Sequence, residues 1–192
     1  MEKYAIKFPK KRQLTDDELY DLCQENSNVK FERTAQGEMI IMSPTGGLTG
    51  FRNSEIVAEL RNWNKKYQLG KVFDSSTGFR LPNGAMRSPD ASWIENSRWQ
   101  ALSQEEQRKF PPLCPNFVVE LMSASDEMAE AKAKMDEWMA NGCRLGWLIN
   151  PEDEQVLVYQ LGKDIQETKG FDQQLKATEV LLGFILDLTL LK

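Results

Sequence analysis

The chain has 192 residues, 41% hydrophobic and 28% charged, with no excess of glycine or proline, which fits one ordinary globular domain and excludes a disordered or collagen-like chain. A net charge of −5 argues against holding nucleic acid through the global field of the protein. The absence of histidine removes Ser-His-Asp and Cys-His catalysis and histidine-ligated zinc, leaving chemistry to carboxylates, lysine, hydroxyls or a hard cation such as Mg²⁺.

No apolar run approaches the length that spans a bilayer, and the first residues (MEKYAIKFPKKRQ) lack the apolar core of a secretory signal. The expectation is a cytoplasmic protein, in which the widely spaced Cys23, Cys114 and Cys143 are reduced packing residues rather than disulfide or zinc partners. Residues 1–14, with Lys7, Lys10, Lys11 and Arg12, read as a flexible basic arm. Thr15-Asp16-Asp17-Glu18 is a capping box, predicting a short helix to about Asn26.

KFERT (30–34) and EMIIMS (38–43) read as a hairpin around Gly37, and SPTGGLTG (43–50) as a loop. From Phe51 to about Gln68, Ile56, Leu60, Trp63 and Tyr67 recur at helical spacing, and Gly70 is expected to close that helix. Strands follow at 71–74 and 78–81, a turn at 82–84, and a strand within SPDASWIE (88–95). After a helical or irregular stretch (96–110), NFVVELMS (116–123) has the apolar character of a buried central strand. A helix over about 125–141 leads into LGWLIN (145–150), a second buried strand. QVLVYQ (155–160) and IQETKG (165–170) read as an antiparallel pair, and FILDLTLL as a tail packing back on the body.

Two acids stand out. Asp90 opens a strand after Ser-Pro, and Glu120 lies inside VVELM, where a buried carboxylate needs a partner. A divalent cation is one such partner, since carboxylates on neighbouring strands can hold it while it activates water and polarises a phosphate. The plainer alternatives are a turn-bracing Asp90 and a Glu120 that meets solvent or an arginine. On the following helix Met128, Ala131, Met135, Trp138 and Met139 share an apolar face, with Lys132 and Lys134 just beyond its opposite edges. Either lysine can bring its ammonium to a buried carboxylate, and periodicity does not choose between them. Arg52, Arg80 and Arg87 are candidates for a phosphate-tracking groove, whereas Trp63 belongs to the apolar stripe and Lys65 and Lys66 to a solvated face.

The order of motifs is specific: GE within ERTAQGEMIIMSPTGG (32–47), then PTGG, PD within STGFRLPNGAMRSPDASW (76–93), VEL-x-S within PLCPNFVVELMSASD (112–126), and KMDEWMANGCRLGWLINP (134–151). This pattern resembles the Uma-two family, bacterial proteins grouped with the PD-(D/E)XK nuclease superfamily. The resemblance implies a restriction-endonuclease-like α/β (α+β) domain over residues 1–192, a mixed central sheet flanked by helices. It implies Asp90 and Glu120 as ligands of Mg²⁺ or Mn²⁺. Lys134, four residues before Trp138, becomes the third catalytic residue, because Met122 stands where the superfamily usually carries its lysine. Glu55, Glu32 or Glu38 would complete the metal site. The function implied is metal-dependent DNA endonuclease, with a homodimer suited to cutting two strands. The alternatives are a nuclease-fold binding or assembly module without catalysis and a hydrolase of smaller phosphate esters.

Overall fold

The computed structural model describes residues 3–7, 14–177 and 179–192. In chain order the elements are β1 (Lys3–Ile6), α1 (Asp16–Glu25), β2 (Lys30–Arg33), β3 (Met39–Met42), α2 (Gly47–Tyr67), β4 (Gly70–Asp74), β5 (Phe79–Arg80), β6 (Met86–Arg87), β7 (Ala91–Glu95), α3 (Asn96–Gln100), α4 (Gln104–Arg108) and β8 (Phe117–Leu121). There follow α5 (Met128–Ala140), β9 (Leu145–Asn150), β10 (Gln155–Gln160), β11 (Gln166–Lys169), β12 (Gln174–Lys176) and β13 (Ile185–Asp187).

The central sheet has the order β11-β10-β9-β8-β7-β4, and its β8–β9 pair is parallel while the other pairs are antiparallel. A parallel pair needs a crossover, and α5 supplies it. Side chains of β8 alternate between two cores, as the two-residue period of a strand requires. Phe117, Val119 and Leu121 pack with Ile56, Leu60 and Trp63 of α2 and with Leu186, Leu188 and Leu191 of the returning tail. Val118, together with Met122 just past the strand, packs instead with Met135 and Trp138 of α5. Glu120 has the parity of Val118 and Met122, so it is delivered beneath α5. The mixed α+β architecture, with a mixed sheet flanked by helices, is the one expected.

A second sheet, β1-β3-β2-β6-β5, carries the β2–β3 hairpin, in which Glu32 pairs with Ile40. Thr15 caps α1 as expected: its hydroxyl accepts from the Glu18 amide while the Glu18 carboxylate returns to the Thr15 amide.

Several boundaries differ from the sequence reading. Lys3–Ile6 is a strand paired with β3, not free arm, while Lys10, Lys11 and Arg12 lie outside the described residues. The segment 47–50, read as loop, is the first turn of α2, begun by the Gly50 amide donating to the Gly46 carbonyl. That helix is closed by Gln68 in the left-handed region (φ 53°), not by Gly70. Gly70 instead begins β4, where an added Cβ would lie 2.1 Å from the Ile94 carbonyl oxygen and against the Trp93 ring. Helix α5 begins three residues later than expected, because Ser123 turns to Asp126, its amide and hydroxyl each donating to Asp126 Oδ2 at 2.8 Å.

Candidate active site

Asp90 sits one residue before β7. Its amide donates to the Val119 carbonyl, and Ala91 pairs with Val119, so one further step of the register brings Asp90 beside Glu120. The Asp90 carboxylate is held at both ends: Oδ2 accepts from the Leu121 amide at 2.8 Å and Oδ1 from Asn53 Nδ2 at 3.1 Å.

Glu120 is buried, at 7% exposure. Its Oε1 accepts from the Trp138 indole at 2.7 Å and its Oε2 from Lys134 Nζ at 2.9 Å. Burial, reinforced by the charges of Asp90 and Glu32 and opposed by Lys134, pushes its carboxyl up to about 7. The structure thus resolves the choice between the lysines geometrically. Lys134 reaches the carboxylate, whereas Lys132 is exposed and its charge acts on Glu167 of β11.

Lys134 also meets Glu32 Oε1 at 3.1 Å and the Ser88 carbonyl at 3.5 Å. Burial alone would lower its pKa, but Glu120, Glu32 and Asp90 outweigh it and hold the ammonium above the ordinary lysine range. Glu32 is buried yet ionised: burial works against the charge, but Lys134, Arg87, the Ser88 amide and Lys30 bring its carboxyl down to about 2. Arg87 bridges Glu32 at 3.0 Å and Glu137 at 2.5 Å.

Of the three acids proposed to join the pair, Glu32 is the one brought near it, through Lys134 rather than as a neighbour of Asp90. Glu38 pairs with Lys7 at 3.2 Å instead. On α2 it is Asn53, not Glu55, that meets Asp90. Met122, two residues after Glu120, is buried against α5 and donates its amide to Ile149. Three arginines considered for a phosphate groove are committed elsewhere: Arg52 to Glu152, Arg80 to Asp16 and Arg87 to its two glutamates. Sequence reasoning missed Asn53 altogether and took the Trp138 ring as core alone. A helical face shared with Gly50 and Val57 was the available signal for Asn53.

Asp90, Glu120 and Lys134 line one cleft, with Thr45, Ser88 and Met122 among its walls. Among the described residues no three Asp, Glu, His or Cys side chains are grouped to hold a metal ion. The donor set is a carboxylate pair, which suits a hard cation that keeps several of its waters. A further acceptor adjoins it: Asn53 Oδ1 is buried without a hydrogen-bond partner. Reversing that amide would set two acceptors face to face at Asp90, so the orphaned oxygen follows from the contact itself. Half-buried Asp90 beside buried Glu120, whose carboxyl is raised chiefly by burial and further by the charge of Asp90, with an unused acceptor nearby, fits a divalent cation.

A family model for Uma2, described as "Putative restriction endonuclease", matches residues 16–189. A crystal structure of a "putative nuclease" from Anabaena variabilis superposes with a TM-score of 0.75 at 18% identity, covering 93% of this chain and 97% of the other. At that identity the likeness is one of fold. No curated protein matches the chain.

Proposed function

Since this chain belongs to the Uma2 family, we propose that it hydrolyses phosphodiester bonds in DNA at the cleft of Asp90, Glu120 and Lys134, with Mg²⁺ or Mn²⁺ as cofactor. The observation that carries the reading is the meeting of these three side chains, from the residue before β7, from β8 and from α5, in one cleft. Asp90 and Glu120 would hold the cation, whose charge relieves the repulsion between them. When bound, it would acidify a water and polarise a phosphate oxygen.

The remaining roles belong to the protein. Trp138 fixes Glu120 through Oε1, leaving Oε2 turned to Lys134. Lys134 keeps its proton, because its pKa is raised, so it acts as a fixed positive charge and donor toward the phosphate oxygens rather than as a base. Its side chain is 22% exposed, enough to meet a substrate in the cleft without leaving Glu120. Glu32 steadies it from behind. The net reaction adds water across an ester bond: the water oxygen bonds to phosphorus, and the ester oxygen leaves and takes a proton.

The test is cleavage of plasmid DNA with Mg²⁺ or Mn²⁺ by the wild-type protein, Asp90→Ala and Glu120→Ala. Both substitutions are expected to abolish cutting, and persistence in both would place the chemistry elsewhere. Two sites suit two strands, so the proposal extends to a homodimer, read by light scattering. The free cysteines of the chain suit a reducing compartment such as the cytoplasm.

A second reading is a binding module without catalysis. It is favoured by Lys134, whose charge is already matched by two carboxylates. Calorimetry that showed no Mn²⁺ binding to the folded protein would select it.

A further inference from the structure

Beside the carboxylate pair, and reaching Asp90, lies a cavity of about 660 Å³ between α2 and the β2–β3 hairpin. That volume is within the range of roughly 300–1,000 Å³ typical of small-ligand pockets. Its chemistry is mixed. Met42, Pro44, Val57 and Ala58 give an apolar wall, and Asn28 and Ser54 are among its hydrogen-bonding groups. Lys30 and Arg61 stand on its lining, and neither makes an ion pair among the described residues. Asp74 also lines it, its Oδ1 accepting from the Ser76 hydroxyl at 2.6 Å and the Ser76 amide at 3.0 Å.

The charge available here limits what can bind. A protein that grips duplex DNA typically neutralises about six to ten phosphates. Arg52, Arg80 and Arg87, the arginines considered for a phosphate groove, are spent on carboxylates, and the chain is acidic overall. Lys30 and Arg61 suffice for one or two phosphates. The rest of the cavity is shaped for something less charged, with an apolar wall for a flat face and polar groups for its edges. A nucleotide drawn out of the stack has this make-up, and enzymes acting on such nucleotides hold the base in a pocket beside the reacting centre.

We propose that this cavity receives a single unpaired nucleotide, so that the ligand of the Asp90–Glu120 cleft is single-stranded or locally unpaired nucleic acid rather than continuous duplex. The inference rests on the nuclease reading for the class of ligand, and it is separable from it in experiment.

Binding of a fluorescein-labelled single-stranded DNA octanucleotide is compared with that of a blunt hairpin duplex by anisotropy, without metal and with Ca²⁺. The single strand is expected to bind about tenfold tighter or more. Ala58→Trp, which fills the cavity from an exposed position of α2, should remove that preference, and Arg61→Gln should weaken it several-fold. Near-ultraviolet circular dichroism and a thermal melt check that both variants fold. Equal binding of the two forms, no binding of either, or a preference untouched by Ala58→Trp overturns the proposal. Hydrolysis of bis(p-nitrophenyl) phosphate by the wild-type protein with Mn²⁺ tests the chemistry independently. Its absence counts against the nuclease reading, while the anisotropy still judges the cavity.

Discussion

Raising the pH through neutrality should destabilise the metal-free protein, and Mn²⁺ should reverse the loss. Burial, with Asp90 and Glu32 adding to it against Lys134, pushes Glu120 up from 4.5 to about 7. Below about pH 4.5 the group is protonated in both folded and unfolded chains, and its contribution to stability is complete. Above that the unfolded chain ionises while the folded one keeps its proton, so the contribution is lost as the pH rises through about 7. The loss is worth roughly 3 kcal/mol at about 1.4 kcal/mol per pH unit. Glu32 does not mask it. Its carboxyl is lowered to about 2, so its stabilisation is present above about 4.5 and disappears only in acid.

A cation on Asp90 and Glu120 requires the ionised form, so binding should release a proton below neutrality. From about pH 6 to about pH 8 the ionised fraction of Glu120 rises from roughly a tenth to nine-tenths, and Mn²⁺ affinity should rise about tenfold. Guanidinium unfolding with and without Mn²⁺, at about pH 5 and about pH 8, reads the stability difference. Calorimetry in buffers of different ionisation enthalpy reads the proton. An Mn²⁺-induced shift of equal size at both pH values, with no proton released, would refute Glu120 as a ligand.

Lys134→Ala should lower cleavage by about 10²-fold or more through loss of a charge at the reacting phosphate, whereas Lys132→Ala should leave it unchanged; initial rates on one DNA substrate make the comparison. Glu32→Ala strands Lys134 and Arg87 without one partner each and leaves the Ser88 amide unpaired. It should cost about 3–5 kcal/mol, read by chemical unfolding. Gly70→Ala should destabilise by about 1–3 kcal/mol or more, seen as a fall in Tm, because its Cβ would meet the Ile94 carbonyl backbone.

The parts of the site set by local pattern were legible in the sequence. Glu120 is conspicuous as an acid in VVELM, and Lys134 stands 14 positions later on the helix that packs over it. What periodicity left open, as between Lys132 and Lys134, motif order decided. The partners that depend on long-range register were not legible. Glu32 bonds the Ser88 amide across 56 positions, and Asn53 bonds Asp90 across 37; nothing near Glu32 separates it from Glu38. Among the element boundaries, the start of α2 was hidden by its glycines, and its end by Gln68, which adopts a conformation that glycine usually takes.

Lys134 touches both sheets at once. Its ammonium joins Glu120 of the central sheet to Glu32 of the smaller one, while Arg87 of the smaller sheet ties to Glu137 on the same helix. The two sheets are therefore joined by ion pairs at the candidate site, not only through packing. Lys134 has one partner on each sheet, and any separation of the two sheets along this seam would leave Glu120 and Glu32 with one shared cation between them to lose.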